Sequence, residues 1–386
     1  MKIPVLDLKP QIRAHRDAIM DAIESVIDSA RFVLGPNVRE LEKAVASYTG
    51  AAHAIGVASG SDALLIALMA LGIGGEDAVI TTPYTFFATV GAISRVGAIP
   101  IFVDIRPDSF NIDAALIAEY IEERCEPDTK TGAPRDRATG RLIRAVIPVH
   151  LYGQCADMGA IMRSARKHNL YVIEDAAQAL GGACDGERAG SIGDIGCFSF
   201  YPTKNLGGFG DGGMMTASDD AVAERCRVIR VHGSKPKYYN AVVGINSRLD
   251  AIQAATLLLG MKQLDDWARM RRGHAEAYSE ALKGVEGVTP PETLPGRKHV
   301  FNQYVIRSDR RDALREFLAK REIGTEIYYP LPLHLQECFS GLGHVKGDFP
   351  ESERAAAESL AIPMFPYLTA DQRETVIDAI KKFQKQ

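Results

Sequence analysis

The sequence LYVIEDAAQALGG, residues 170–182, joins a short apolar run to two carboxylates. An apolar run of this length predicts a buried strand, and Glu174 and Asp175 then lie at its carboxyl end. Ligands of open α/β sheets bind beyond the carboxyl ends of the parallel strands. The stretch therefore predicts a strand that carries a functional carboxylate, Asp175. The ordinary alternative is an aspartate that caps the following helix.

Predicted helices and strands alternate on the N-terminal side of this strand. A strand, a polar turn and an apolar helix occupy residues 53–74. The other predicted elements are helices over 37–48, 88–95, 113–123 and 157–168 and strands over 78–83, 98–105 and 145–149. Alternation of this kind predicts an α/β fold with a mainly parallel sheet covered by helices.

Residues 126–141, EPDTKTGAPRDRATGR, interrupt the alternation. They lack Val, Ile, Leu, Met, Phe, Tyr and Trp, so they predict a solvated excursion outside the core. Either a disordered segment or one that reaches a subunit contact fits this composition.

The pattern changes after Gly244. Residues 249–282 are rich in helix, 289–296 contain a Pro/Gly break, 300–306 resemble a strand, and 311–320 and 370–383 predict helices. We therefore expect a large α/β domain over residues 1–260 and a smaller α+β domain over residues 261–386.

Composition excludes several classes of protein. Lys plus Arg number 45 and Asp plus Glu 49, and the net charge of −4 argues against a nucleic-acid partner. No apolar run approaches the roughly 20 residues of a membrane span, and the N-terminal residues lack a basic-then-apolar leader, so we expect a cytoplasmic enzyme. The cysteines form no C-x-x-C pair and the histidines no H-E-x-x-H cluster, so neither a disulfide framework nor a metal site is indicated.

Lys204 lies in the most distinctive stretch, FSFYPTKNLGGFGDGG, residues 198–213. A lysine that forms Schiff bases needs surroundings that disfavour its charged form. The ordinary alternative is an exposed loop lysine. Gly208, Gly210 and Gly213 formally match G-x-G-x-x-G, but the strand-like MMTAS follows where that dinucleotide fingerprint requires a helix, so we interpret the match as accidental.

Three further features indicate a planar, phosphorylated ligand. Ser61 and Asp62 open an apolar helix directly after a strand, where free N–H groups and the helix dipole attract phosphate, although such residues are also common helix caps. Phe86 follows another strand and could stack on a ring, with a buried core position as the alternative. Gln178 could hydrogen-bond a ring substituent.

The order and spacing of these motifs resemble the DegT family of sugar-nucleotide aminotransferases, which depend on pyridoxal phosphate (PLP). The resemblance runs through IPVLDL, SGSDAL, TPYTFFAT, PIFVDI, PVHLYGQ, IEDAAQALG, FSFYPTKNLGGFGDGG, GINSRLDAIQAA and YYPLPLHLQ, nearly the whole chain. It implies PLP-dependent transferase fold type I, with a mainly parallel sheet of the seven-stranded type in the large domain and a smaller C-terminal α+β domain.

The resemblance also implies a role for each matching residue. Lys204 falls on the lysine that binds PLP covalently, and Asp175 on the partner of the pyridine nitrogen. Gln178 falls on the residue near the ring hydroxyl, and Phe86 on the aromatic residue that stacks on the ring. The phosphate ligands are Ser199, Ser61 and the backbone at Asp62. Asn246 falls on the residue that reaches the phosphate of the neighbouring subunit's cofactor. The last contact implies a homodimer with shared active sites. The residues implied for the sugar-nucleotide side are Arg248, for which a dimer salt bridge is the alternative, Tyr328, Tyr329 and His334.

The implied activity is transfer of an amino group from L-glutamate to a nucleotide-linked keto sugar for polysaccharide, lipopolysaccharide or glycan biosynthesis. Residues 232–250, HGSKPKYYNAVVGINSRLD, are most similar to the branch that aminates C3 of UDP-linked N-acetylated 3-keto sugars or uronic acids. The alternatives are a C4-specific or dTDP-sugar aminotransferase, a PLP-dependent sugar dehydratase, and a non-catalytic regulatory homologue. Some relatives with histidine in place of Lys204 act as dehydratases, so the lysine favours transamination. Residues 126–141 depart from the compact family pattern.

Overall fold

A computed structural model describes residues 2–385. Its helices are α1 (Lys9–Ala14), α2 (Arg16–Ser29), α3 (Pro36–Thr49), α4 (Gly60–Ala70), α5 (Phe87–Arg95), α6 (Ala114–Arg124), α7 (Met158–Lys167), α8 (Asp220–Ile229), α9 (Ala251–Met261), α10 (Leu264–Leu282), α11 (Arg311–Ala319), α12 (Pro350–Glu358) and α13 (Ala370–Gln384). Its strands are β1 (His53–Val57), β2 (Asp77–Thr81), β3 (Ile99–Phe102), β4 (Cys125–Pro127), β5 (Pro134–Asp136), β6 (Leu142–Val146), β7 (Tyr171–Asp175), β8 (Ala183–Cys184), β9 (Glu187–Arg188), β10 (Ile195–Ser199), β11 (Gly213–Ala217), β12 (Val288–Thr289), β13 (Arg297–Lys298), β14 (Tyr304–Ser308) and β15 (Ser359–Ile362).

Strand β7 lies at the centre of a sheet whose seven main strands follow the order β1-β11-β10-β7-β6-β2-β3. Its neighbours β6 and β10 run parallel to it, and β2 and β3 continue the parallel part. Strand β11 runs antiparallel to both β1 and β10. The arrangement confirms the predicted α/β fold with a mainly parallel sheet.

Hydrophobic cores cover both faces of this sheet, because alternate residues of each strand point to opposite faces. On β7, Val172 belongs to one core and Ile173 to the other. Helices α3, α6, α7 and α9 contribute to the first core, and α4, α5 and α8 to the second. Burial on both faces explains why β7 is a continuous apolar run rather than an alternating one.

Residues 126–141 form a β-hairpin in which most residues are exposed, so the predicted solvated excursion outside the core is confirmed and has regular structure. Strand β4 pairs with β5, which pairs with β6 and so extends the sheet. The Asp128 carboxylate accepts hydrogen bonds from the Thr131 N–H at 2.9 Å and from Arg135 Nη2 at 2.7 Å. Asp136, which is 1% exposed, accepts one from the Tyr120 hydroxyl at 2.8 Å. Polar side chains hold this hairpin, which is why its composition did not predict regular structure.

The C-terminal part has its own antiparallel sheet, in the order β12-β14-β15. Helices α10, α11 and α13 pack on it, which confirms the predicted α+β character. Ile3, near the N-terminus, is buried in the same core and forms a bridge with Ile323. The first residues of the predicted large domain therefore complete the C-terminal core, and the division at residue 260 stays a prediction.

Several elements differ from the sequence-based expectation. Helices α1, α2, α8 and α12 and strand β15 were not predicted. The strand predicted over 300–306 begins only at Tyr304, because the Val300 N–H bonds to the Gly153 carbonyl at 3.0 Å and Phe301 adopts a left-handed φ of 44°. Each helix within residues 2–385 is too short or too polar to cross a membrane.

Candidate active site

Asp175 ends β7 with its side chain buried, 5% exposed. The Thr89 hydroxyl donates a hydrogen bond to Asp175 Oδ2 at 2.7 Å, and the Ala177 N–H donates one to Oδ1 at 3.2 Å. Burial raises the pKa of Asp175, and these hydrogen bonds and the nearby Lys204 ammonium partly oppose that rise. No helix begins within residues 176–182, so the alternative of a helix cap is wrong. The sheet thus presents a buried carboxylate near a lysine.

Glu174, the preceding residue, points away from Asp175, because successive strand residues face opposite sides. Its fully buried carboxylate accepts hydrogen bonds from His150 Nε2 at 2.9 Å and from three backbone N–H groups of residues 190–193 at 2.7 to 2.8 Å. These contacts hold the turn before β10. Glu174 therefore supports the strand, while Asp175 faces the candidate site.

Lys204 lies half-buried in the loop between β10 and β11. Burial lowers the pKa of its ammonium group from 10.5 to about 8, although the charge of Asp175 opposes the change. The loop is tight at Gly207, where a Cβ atom would lie 2.3 Å from the Pro202 carbonyl oxygen. A lysine with this pKa is partly a neutral amine near neutral pH and can attack a carbonyl carbon. Its surroundings differ from those of an ordinary exposed loop lysine.

The neighbours of Gln178 fix the orientation of its amide. Its Oε1 accepts a hydrogen bond from the Tyr152 N–H at 2.6 Å, and a backbone N–H can only donate. The amide Nε2 therefore faces the Tyr329 hydroxyl, 3.1 Å away. Gln178 therefore presents its N–H groups toward Tyr329. These groups can donate a hydrogen bond to an oxygen atom on the ring of a ligand.

Phe86 precedes α5, and its side chain is 56% exposed, so the alternative of a core aromatic is wrong. Its ring centroid lies 6.0 Å from that of Tyr329. The sequence placed Tyr329 on the sugar-nucleotide side, whereas the structure brings it against both Phe86 and Gln178. An exposed aromatic face in this position is suited to stacking on a planar ligand.

The N-terminus of α4 packs directly against the end of β10. A Cβ atom at Gly60 would lie 2.7 Å from the Cβ of Ser199, so glycine is needed for this close approach. Ser61 and Asp62, in the first turn of α4, therefore lie in the same region as Ser199. Ser59 is the helix cap, because its Oγ accepts the Asp62 N–H at 3.1 Å. The arrangement leaves the positive end of the helix dipole beside Ser199, as an anion site requires.

Asn246 and Arg248 lie in a different segment from the residues around Lys204. Asn246 is exposed and Arg248 is half-buried. Within residues 2–385, neither side chain forms a hydrogen bond or ion pair with another predicted site residue. The same segment exposes Tyr238 and Val243, which are 81% and 90% exposed. Large exposed apolar side chains close together are typical of an interaction surface.

Tyr328 and His334 make contacts inside the protein. The Tyr328 carbonyl accepts hydrogen bonds from the hydroxyls of Tyr84, at 2.6 Å, and Tyr152. His334 is 1% exposed, its Nε2 lies 3.1 Å from Glu353 Oε1, and burial lowers its pKa. Contacts of these two residues with a sugar nucleotide stay predictions.

Sequence analysis did not single out Thr89 or Tyr152, although both lie in quoted motifs, TPYTFFAT and PVHLYGQ. The available signal for Thr89 was its position four residues after Thr85. In the described part of the chain, no three His, Cys, Asp or Glu side chains are grouped as metal ligands.

A protein-family comparison extends these local observations to almost the whole chain. The model of the DegT/DnrJ/EryC1/StrS aminotransferase family matches residues 13–381. The chain belongs to this family. Aminotransferases of the DegT family use PLP, and the predicted family, cofactor and fold type are thereby confirmed.

Three named relatives of this DegT-family chain span its length. It is 49% identical to a pleiotropic regulatory protein of Geobacillus stearothermophilus, over 100% of this chain and 99% of the relative. It is 42% identical to the UDP-N-acetyl-3-dehydro-alpha-D-glucosamine 3-aminotransferase of Acidithiobacillus ferrooxidans, over 98% and 97%. It is 40% identical to the dTDP-3-amino-3,4,6-trideoxy-alpha-D-glucose transaminase of Streptomyces venezuelae, over 99% and 96%.

A solved structure supports the same assignment. The crystal structure of S. venezuelae DesV in complex with a ketimine intermediate is 39% identical, with a TM-score of 0.93 over 100% of this chain and 99% of that chain. The residues of this DegT-family chain fit PLP, since it has a lysine of lowered pKa, a buried carboxylate, an exposed aromatic ring and a helix N-terminus beside a serine. The chain is a PLP-dependent aminotransferase.

Proposed function

We propose that the chain transfers the amino group of L-glutamate to a UDP-linked 3-keto-N-acetylhexosamine or its uronic acid. The product would enter polysaccharide, lipopolysaccharide or glycan biosynthesis, and the reaction would take place in the cytoplasm. The observation that carries the proposal is that Lys204, with its pKa of about 8, lies close enough to buried Asp175 for the two charges to interact, beyond the carboxyl ends of the central strands. Amino-group transfer needs one group that accepts and returns a proton and another that stays an anion.

PLP, when bound, supplies an aldehyde that holds the amino group and a ring that accepts electron density. Lys204 Nζ would bind the cofactor and, once the amine of glutamate has displaced it, would move a proton between the carbon atoms on either side of the transferred nitrogen. The Asp175 carboxylate would hold the proton of the ring nitrogen. The Gln178 amide would donate an N–H to the ring oxygen, and the Phe86 ring would cover one face of the cofactor.

The proposed phosphate site combines the first turn of α4 with the end of β10. The Ser61 and Ser199 hydroxyls and the Asp62 N–H would contact the phosphate, and the last would exchange its bond to Ser59 for one to the ligand. Asn246 would reach the phosphate of a second copy of the chain. This proposal of a homodimer is supported by the exposure of Asn246 and of the apolar residues beside it.

The sugar-nucleotide side is assigned to Arg248, Tyr328, Tyr329 and His334. The planar guanidinium of Arg248 suits either a diphosphate or a carboxylate. The names of the two aminotransferase relatives both specify position 3 of the sugar, one with UDP and the other with dTDP. The resemblance of residues 232–250 to the UDP-sugar branch supports the choice of UDP.

A regulatory role is the second candidate, and the name of the G. stearothermophilus relative favours it. A protein that only binds PLP or a sugar nucleotide does not need a lysine of lowered pKa next to a buried carboxylate. A sugar dehydratase would keep PLP but would act without glutamate. Catalytic transfer of nitrogen separates the proposed function from both alternatives.

The test uses the purified protein with PLP, L-glutamate and a panel of UDP- and dTDP-linked 3-keto and 4-keto sugars, with products identified by mass spectrometry. We expect one amino-sugar product from the UDP-linked 3-keto sugar, together with an equal amount of 2-oxoglutarate. The Lys204→Ala variant is the negative control. A product from a dTDP-linked or 4-keto sugar alone would contradict the substrate assignment, and loss of water without glutamate would indicate the dehydratase. Bound PLP without turnover of any sugar would favour the regulatory role.

A further inference from the structure

Two threonines lie behind Asp175, on the loop and helix that also carry Phe86. Thr89, in the first turn of α5, is fully buried, and its Oγ1 lies 2.7 Å from Asp175 Oδ2. Thr85 is 2% exposed, and its Oγ1 lies 3.2 Å from that of Thr89. Buried hydroxyl groups need hydrogen-bond partners, and here each one is satisfied along a single chain that ends on the carboxylate.

The chemistry of the groups fixes the direction of this chain. An ionised carboxylate can only accept, so the Thr89 hydroxyl donates its proton to Asp175. Its oxygen is then free to accept the proton of Thr85. A hydrogen bond donated to a carboxylate stabilises its charged form, so the Thr89 hydroxyl favours the anionic Asp175.

Within residues 2–385, the other ionisable groups near Asp175 donate no hydrogen bond to its carboxylate. The His150 Nδ1 accepts the Ala156 N–H at 3.2 Å, and its Nε2 lies 2.9 Å from Glu174 Oε2. Cys197, paired with Asp175 across the sheet, is also buried.

Burial raises the pKa of Cys197 and that of Tyr329, so both groups are neutral near pH 7. Among the described residues, the donors to the Asp175 carboxylate are the Thr89 hydroxyl and the Ala177 N–H. The hydrogen bond from Thr89, at 2.7 Å, is shorter than the one from Ala177, at 3.2 Å.

We propose that Thr89 is a positioning residue, which holds the Asp175 carboxylate as an anion directed at the ring nitrogen of PLP, and that Thr85 supports it. This inference rests on the cofactor site of the proposed function and is independent of the sugar substrate. Because Thr85 precedes Phe86 directly, one segment both stacks on the cofactor and orders the carboxylate beneath it.

The test compares Thr89→Val with Thr89→Ser and with the control Thr81→Val. Thr81 is equally buried, but its hydroxyl donates to the Ile147 carbonyl at 2.9 Å rather than to Asp175. Each apoprotein is titrated with PLP and with an analogue in which a C–H group replaces the ring nitrogen. The pH dependence of the bound-cofactor absorbance and the kinetic constants are measured on the holoenzymes.

We expect Thr89→Val to weaken PLP binding and to lower kcat, each about tenfold, as for loss of a hydrogen bond to a charged group. The midpoint of the absorbance titration should shift toward higher pH. A ring nitrogen that has lost its proton withdraws less electron density from the rest of the bound cofactor, so the cofactor keeps its titrating proton to higher pH. Binding of the analogue without a ring nitrogen should change less than twofold, and Thr89→Ser should restore the wild-type values. Thr85→Val should produce a smaller shift of the same sign.

The proposal would be overturned if Thr89→Val weakened the binding of PLP and of the analogue equally, or if Thr81→Val had the same effects as Thr89→Val. Either result would show that Thr89 is only a packing residue. If Thr89→Val does not fold, Thr85→Val supplies the same comparison, and an unchanged absorbance titration in that variant would overturn it. A protein that shows the expected cofactor effects but aminates no sugar would retain this inference while contradicting the proposed substrate.

Discussion

The cofactor side and the sugar-nucleotide side of the candidate site are built differently. Around Asp175 and Lys204, buried groups of one chain hold each other by short hydrogen bonds and change each other's pKa. Arg248, which we propose for the sugar-nucleotide side, lies instead on a segment with exposed apolar residues, and within residues 2–385 its side chain forms no hydrogen bond with that cluster. The difference indicates that the cofactor side is ordered within one chain, whereas the segment of Arg248 keeps an exposed surface, which is the feature that the proposed homodimer would cover.

The first way to test this contrast is to remove the central group of the cofactor side. We expect Lys204→Ala to lower amination by about a thousandfold or more, because the only proposed proton acceptor is lost. Lys167→Ala, at an exposed lysine of α7, serves as the control and should keep full activity. Retention of wild-type turnover by Lys204→Ala, measured by product mass spectrometry, would remove the catalytic assignment.

Asp175 and Glu174 are adjacent carboxylates with opposite expected effects. Asp175→Asn should lower kcat about a hundredfold with little loss of stability, since a neutral amide no longer holds the ring-nitrogen proton. Glu174→Gln should lower the free energy of unfolding by about 2 kcal/mol, because an amide N–H would face the backbone donors of residues 190–193. Steady-state kinetics and urea denaturation of both variants measure these effects. Equal effects of the two variants on kcat would contradict the assignment of the reaction to Asp175 and of stability to Glu174.

The pH dependence of cofactor attachment follows from the lowered pKa of Lys204. The neutral amine is the nucleophile, so the rate at which PLP attaches to the apoprotein should rise about tenfold per pH unit below pH 8 and level off above it. A stopped-flow absorbance series from pH 6 to pH 10 measures this profile. A rate that still rises at pH 10 would mean that Lys204 keeps an ordinary pKa.

The proposed sharing of the site between two chains is tested by mixing two variants that we expect to be inactive. Lys204→Ala and Asn246→Ala each impair both sites of their own homodimers, whereas a mixed dimer contains one site with both native residues. An equimolar mixture that exchanges subunits should recover about a quarter of wild-type activity. No recovery, despite exchange shown by native mass spectrometry, would place Asn246 in its own chain's site.

The smallest expected effect is on substrate affinity. Arg248→Ala should raise the KM of the sugar nucleotide about tenfold while the KM of glutamate changes less than twofold, since a bidentate contact with an anionic group is lost. Steady-state kinetics with each substrate varied in turn measures both constants. An equal rise in both would favour the alternative of a dimer salt bridge.

The sequence predicted features of the cofactor side that depend on neighbouring residues, but it did not predict contacts between distant residues. The apolar run of β7, the carboxylate at its end and the glycine-rich loop of Lys204 are local signals, and the structure brings them to one place. The hydrogen bond from Thr89 to Asp175 joins residues 86 positions apart, so no local pattern predicted it. The contact of His334 with Glu353 also joins residues that are not neighbours in the sequence. The hairpin at residues 126–141 is held by side-chain hydrogen bonds, which hydrophobic patterning does not record.

The bridge between Ile3 and Ile323 has a consequence for how the chain is made. The ribosome synthesises Ile3 more than 300 residues before its partner Ile323, and β15, which completes the sheet of that core, comes later still. At a synthesis rate of about 5 to 20 residues per second, the N-terminal segment waits at least about 15 seconds for its place in the core. A nascent chain stalled after the large sheet is complete would therefore expose the segment around Ile3 to proteases, and only a chain that extends through β15 would protect it.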